Sequence, residues 1–183
     1  MNILLGVTGG ISAYKAADII GALKHDGHEN IRVIMSEKAK EYITPLTLAT
    51  LSKGPVYDDI LEWAPHGRVD HIELAEWAQV FIIAPASANT IAKLAYGFAD
   101  NLLTSTYLAF YCADGTDKSF ILCPAMNNRM YENETTQGNI LKLKKPNHYI
   151  IPPVEGMLAC GTMGIGKLAP TKTIIDTINR IYE

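Results

Sequence analysis

The sequence is poor in cysteine, with Cys112, Cys123 and Cys160 in 183 residues and no Cys-x-x-Cys pair. That excludes a disulfide framework and leaves three free thiols. Cys112 and Cys123 lie in apolar surroundings and read as buried structural residues, whereas Cys160 lies among small residues. Long apolar runs are also missing. Residues 82–86 are typical of the longest, far short of the roughly 20 residues of a membrane helix. Met1-Asn2-Ile3-Leu4 has no basic stretch ahead of its apolar run and no cleavage signal, so a cytoplasmic protein without membrane contacts is expected. The formal net charge of -3 and pI near 5.9 lack the basic excess that nucleic acid requires. Repeats and low-complexity stretches are absent, and the polar segments 114–117 and 142–147 are too short to be linkers. One domain spanning 1–183 is the expectation, with 48% hydrophobic and 19% charged residues as in ordinary globular proteins.

What is present is an alternation of strands and helices. Residues 3–7 form an apolar run that stops at Thr8-Gly9-Gly10, and helical spacing follows over 11–23. Residues 31–35 read as a second buried strand ending at Ser36. Residues 80–84 and 120–122 repeat the pattern, each followed by a proline and a polar helix start. Residues 149–151 fit a last strand, and 171–182 a terminal helix with Thr171 as a possible cap. The fold class is therefore α/β: a doubly wound, mostly parallel sheet in a Rossmann- or flavodoxin-like three-layer sandwich. Ligands of such sheets bind beyond the carboxyl ends of the strands, so the turns at 8–12, 36, 85–90 and 124–130 should converge on one crevice.

Each turn carries candidate chemistry beside a plainer explanation. Gly9, Gly10 and Ser12 could admit a phosphate to backbone N–H groups, or serve turn geometry alone, since the pattern is not G-x-G-x-x-G. Pro85-Ala86-Ser87-Ala88-Asn89-Thr90 sets hydroxyls and an amide at a helix start, suited to a phosphate or ribityl chain or simply to capping. Pro124-Ala125-Met126-Asn127-Asn128-Arg129-Met130 offers amide donors for a carboxylate and an apolar wall, or an Asx-turn or helix cap. His71 opens an amphipathic segment and could act as a general base or be structural. The other histidines, His25, His28, His66 and His148, read as solvated. The glycine-rich stretch 156–167, containing Ala159-Cys160-Gly161, has the composition of a mobile flap, with Lys167 within possible reach of the thiol.

Taken in order, these motifs resemble the flavin-containing cysteine decarboxylase family. The likeness rests on His71-Ile72-Glu73-Leu74, the P-A-S-A-N-T run 85–90, P-x-M-N-x-x-M at 124–130 and Ala159-Cys160-Gly161. Tyr131 stands where the family often has tryptophan. The resemblance implies FMN as cofactor and 4'-phospho-N-pantothenoylcysteine as a small-molecule substrate, converted to 4'-phosphopantetheine in coenzyme A biosynthesis. It implies oxidation to a thioaldehyde, loss of CO2, and re-reduction of the resulting ene-thiol. Within that scheme His71 is the base, Cys160 the proton donor, and Asn127, Met130, Ala159 and Gly161 contact substrate. Gly9, Gly10, Ser12, Ser36, Ser87, Ala88, Asn89, Thr90 and Ala125 form the flavin set, and no metal is implied. It further implies a homotrimer or homododecamer with sites at subunit contacts, and a separate phosphopantothenate-cysteine ligase.

Three other readings share parts of the pattern. A flavin prenyltransferase would not require both Asn127 and Cys160. A peptide cysteine decarboxylase could stop at the ene-thiol without a donor cysteine. A non-catalytic flavin-binding regulator would not need His71, Asn127 and Cys160 together.

Overall fold

The computed structural model describes residues 1–58, 70–110, 112 and 116–182. Six strands form a parallel sheet: β1 Asn2–Val7, β2 Asn30–Met35, β3 Val56–Tyr57, β4 Val80–Ala86, β5 Ser119–Pro124 and β6 His148–Ile150. Their order is β3-β2-β1-β4-β5-β6, the doubly wound order expected from the alternation.

Side-chain alternation along the strands builds the two cores. Ile3, Leu5 and Val7 face one side, where they meet Ile19, Ile20 and Leu23 of α1 (Ala16–His25) and Ile174, Ile175 and Ile178 of α8 (Thr171–Tyr182). Leu4, Ile34, Phe81 and Ile83 face the other. There they pack on Leu74 of α3 (Asp70–Trp77), Ile91 of α4 (Ala88–Tyr96), Leu103 of α5 (Leu102–Ala109) and Ile140 of α7 (Glu134–Lys142). Phe81 meets Phe110 and Phe120 edge-on at 5.7 and 5.8 Å. Each such fully buried apolar side chain contributes about 1.5–3 kcal/mol. The remaining helices are α2 Pro45–Ser52 and the short α6 Asn128–Tyr131.

Several local expectations change. The helix expected over 11–23 is a 3-10 turn, Ile11–Lys15, running into α1; Ala13 and Ala16 are fully buried, so the first turns lie tight on the sheet. The last parallel strand is His148–Ile150, although Ile151 N–H still donates to Leu122 O at 2.9 Å. Thr171 is the first residue of α8 rather than a residue ahead of it. His28 and His148 are not solvated. The His28 side chain is 12% exposed and 3.5 Å from Asp26, and His148 packs between Tyr107 and Phe120, where burial lowers its pKa. His66 and residues 114 and 115 lie outside the described residues.

The stretch expected as a mobile flap is an antiparallel hairpin, β7 Val154–Met157 with β8 Met163–Lys167. Its glycines serve close approach. A Cβ on Gly166 would run into Met126 O, and one on Gly164 would lie 2.9 Å from the Cβ of Asn128. Met126 N–H donates to Gly166 O at 3.0 Å, which fastens the hairpin to the segment after β5.

Candidate functional site

The strand order reverses between β1 and β4, and a cavity of about 530 Å³ opens there, within the usual size of a small-molecule site. Thr8 ties its two arms together. The Thr8 hydroxyl donates to Pro85 O at 2.7 Å and accepts from Ser87 N–H at 2.9 Å. Behind it, a Cβ on Gly9 would collide with Lys38, so the glycine is needed for packing against the turn that Ser36 opens. At Gly10 a Cβ would meet nothing within 4 Å; this residue opens onto the cavity with Ser12.

The opposite wall comes from the turns after β4 and β5. Ser87 caps α4, accepting Thr90 N–H at 3.3 Å and lying 3.1 Å from the Thr90 hydroxyl. Ser87, Ala88 and Ala125 are small residues on the lining, while Met126 and Met130 add apolar wall. Asn127 caps α6: its Oδ1 accepts Arg129 N–H at 2.9 Å. That bond orients the amide, with its N–H donors on the side of the crevice. One of them points at Cys160 Sγ, 3.3 Å away. The plainer readings of Ser87 and Asn127 as caps are therefore correct as geometry, and both caps line the same cavity.

Cys160 sits in the turn of the hairpin and is exposed. Leu158 N–H donates to Thr162 O and Gly161 N–H to Leu158 O, both at 2.9 Å, with Gly161 at φ 82°. That conformation favours glycine, which explains Gly161 without a ligand contact. The thiol lies 3.1 Å from the Thr162 hydroxyl, and its pKa is lowered chiefly by that hydrogen bond, with the Asn127 amide contributing. Lys167 lines the cavity, but the lowered pKa of the thiol comes from hydrogen bonding.

Gly9, Gly10, Ser12, Ser87, Ala88, Ala125, Asn127, Met130, Ala159 and Cys160 thus converge as the motifs suggested. Ser36, Asn89, Thr90 and Gly161 lie off the cavity lining, Thr90 because its buried hydroxyl is turned to Ser87. His71 also lies off it. It occupies the first turn of α3, half-buried, on the helix stripe shared with Leu74, Ala75 and Ala78.

The motif reading missed Ile11, Tyr14 and Lys15. Ile11 and Tyr14 are 59% and 53% exposed at the cavity rim, and their i, i+3 spacing directly after a glycine turn was the available signal. Met157, Leu158 and Thr162 fell within the glycine-rich stretch 156–167, but nothing in the sequence singled them out individually. Among the described residues the lining holds two ammonium groups, Lys15 and Lys167, and no carboxylate, so it favours an anionic ligand. The described residues include no cluster of three metal-ligating side chains. A second, wider groove runs along the free edge of β6, between Lys144, Lys145 and Arg180, and none of the motifs reaches it.

A family profile described as Flavoprotein matches residues 1–183. A probable phosphopantothenoylcysteine decarboxylase of Streptococcus mutans is 47% identical, over 97% of this chain and 96% of the relative. A coenzyme A biosynthesis bifunctional protein of Vibrio vulnificus is 41% identical over the whole chain, which spans 44% of that relative's length. Among solved structures, a PPC decarboxylase cysteine-to-serine mutant complexed with pantothenoylaminoethenethiol superposes with a TM-score of 0.87 at 31% identity, covering 99% and 97% of the two chains. The FMN-dependent cysteine decarboxylase SpaF gives 0.83 at 29% identity, covering 100% and 98%.

Proposed function

The chain belongs to the flavoprotein family, and on that premise we propose that its crevice decarboxylates 4'-phospho-N-pantothenoylcysteine to 4'-phosphopantetheine, the decarboxylase step of coenzyme A biosynthesis. The observation that carries the reading is the pairing, in one cavity, of the oriented Asn127 amide with the Cys160 thiol at 3.3 Å.

The cofactor is FMN, and the cavity fits it. Gly9, Gly10 and Ser12 stand at a helix start where a phosphate is favoured, and Ser87, Ala88 and Ala125 leave room for a flat ring. FMN, when bound, supplies a two-electron sink, which direct loss of CO2 from an N-acyl cysteine lacks. The protein's own groups do the rest. Asn127 donates to the substrate carboxylate and fixes its position. Lys15 and Lys167 favour a substrate that carries both a phosphate and a carboxylate, and the hairpin, closing over bound substrate, excludes water. Cys160 holds the proton that the ene-thiol carbon receives. The mutant relative bound to pantothenoylaminoethenethiol, itself an ene-thiol, supports assigning this protonation to a cysteine.

His71 takes the thiol proton at the oxidation; it is not among the residues lining this cavity, which supports its serving the cavity of a neighbouring copy in a homotrimer or homododecamer. Two features support that arrangement: half-buried His71 stands beside Ile72, 43% exposed, and the cavity rim presents the exposed Ile11 and Tyr14. The cytoplasm is the expected compartment.

Purified protein should be yellow and release CO2 from 4'-phospho-N-pantothenoylcysteine; a colourless protein without CO2 release overturns the reading. His71→Asn and Asn127→Asp, each strongly impaired alone, should recover activity when unfolded together and reassembled. No recovery on mixing would return the base to a group within one chain.

A further inference from the structure

In the hairpin turn, Thr162 is no part of the Ala159-Cys160-Gly161 motif and lies off the cavity lining, yet it touches the sulfur that faces the cavity. We propose that Thr162 is a positioning residue for Cys160: its hydroxyl donates a hydrogen bond to Sγ, holds the sulfur beside Asn127 and stabilises the thiolate left when the proton departs. The proposal rests on the reading of Cys160 as proton donor.

The geometry comes from the turn itself. Leu158 is its buried anchor, and the bonds Leu158 N–H to Thr162 O and Gly161 N–H to Leu158 O fold residue 162 back beside residue 160. The Thr162 Oγ1 to Sγ distance is 3.1 Å, and Asn127 Nδ2 reaches the same sulfur at 3.3 Å. The Asn127 oxygen is committed to Arg129 N–H, so the amide can act on sulfur only as a donor. With both groups donating to sulfur lone pairs, the S–H bond is left to point away from them. Both bonds strengthen as negative charge develops on sulfur.

The step balances. The Sγ proton joins the ene-thiol carbon using the electrons of its double bond, and the S–H electron pair stays on sulfur. The established cofactor supplies the accompanying two-electron reduction, and water restores the thiol. The pKa of Cys160 is lowered from its ordinary value, first by the Thr162 hydroxyl and next by Thr162 N–H. Among the described residues, the other ionisable groups lining the cavity are Tyr14 and Lys15 on the 3-10 turn and Lys167 on β8. Either cation would shift the thiol in the same direction, so removing the Thr162 hydroxyl alone isolates its part.

The test is the pH dependence of iodoacetamide alkylation at Cys160, followed by peptide mass, in wild type, Thr162→Val and Thr162→Ser. Cys123 is fully buried and Cys112 half-buried, and burial raises both thiols, so Cys160 reacts first. Thr162→Val should raise the alkylation midpoint by on the order of one pH unit, while Thr162→Ser stays near wild type. In a single turnover, with one equivalent of 4'-phospho-N-pantothenoylcysteine per FMN so that no outside oxidant is needed and unrecovered flavin stays reduced, Thr162→Val should release CO2 at the wild-type rate but raise the ratio of ene-thiol to 4'-phosphopantetheine roughly tenfold. Preserved CO2 release shows that the turn still closes. An unchanged midpoint in Thr162→Val overturns the proposal. A raised midpoint with an unchanged product ratio keeps the Thr162–Cys160 pairing and overturns the donor reading of Cys160.

Discussion

The two sides of the crevice are held by different physics. The wall facing β1, β4 and β5 is an extension of the sheet: Thr8 bridges two buried strands, and Ser87 and Asn127 cap the helices that follow. Its functional atoms are by-products of structure, and moving them would mean moving the core. The hairpin buries little. Met157, Met163 and Ile165 are 62%, 60% and 42% exposed, and the hairpin stays in place through glycine-permitted backbone contact with Met126 and Asn128. Position on the wall is set by burial, and position on the hairpin by a few hydrogen bonds. Binding should therefore depend on the wall, and turnover and product choice on the hairpin.

Asn127 is where the two sides meet, and its substitution should have the largest effect. Asn127→Asp keeps an oxygen for Arg129 N–H, and aspartate caps as well as asparagine. It removes the donor to Cys160 and sets a negative charge against the substrate carboxylate. Expected are a fall in kcat/KM of about 100-fold, roughly 3 kcal/mol, and a Tm within about 1 °C of wild type. A large drop in Tm with a proportionate drop in activity would mean that the residue is a cap alone.

Gly166→Ala comes next, since it acts where the hairpin is fastened to the wall. The added methyl would meet the Met126 carbonyl, a backbone atom that cannot swing aside. Overpacking of about 1–3 kcal/mol should push the hairpin outward and lower kcat about 10- to 100-fold, with the flavin absorbance retained. Loss of bound FMN would show instead that the hairpin belongs to the cofactor wall.

The same contrast explains what could be read from the sequence. Residues 3–7, 31–35, 80–84 and 120–122 gave β1, β2, β4 and β5 because strands buried on both faces are continuous apolar runs. Ser87, Asn127 and the glycine turn were visible because they stand directly after such runs. The hairpin was not. Gly156, Gly164 and Gly166 read as flexibility, whereas each makes room for a neighbour distant in sequence: Lys167 beside Gly156, Asn128 beside Gly164, Met126 beside Gly166. Thr162 was silent for the same reason, since its contact depends on the Gly161 turn. His71 stood out by motif but lies off this chain's cavity lining, and the contact between copies proposed for it would leave no local pattern in one chain's sequence.

The smallest expected effect is also the one that separates the two sides most cleanly. Ser87→Ala removes the oxygen that accepts Thr90 N–H and leaves the buried Thr90 hydroxyl without it, at the first turn of α4. A lost N-cap costs about 1 kcal/mol, so Tm should fall by roughly 2–4 °C for a chain of this size. FMN affinity should weaken less than tenfold, because Gly10, Ser12, Ala88 and Ala125 keep their places on the wall. The ratio of ene-thiol to 4'-phosphopantetheine should not move. That is the reverse of Thr162→Val, which leaves Tm and FMN alone and moves the ratio. If Ser87→Ala altered the product ratio as Thr162→Val does, wall and hairpin would be one coupled unit, since the proton delivered from Cys160 would then depend on how α4 begins.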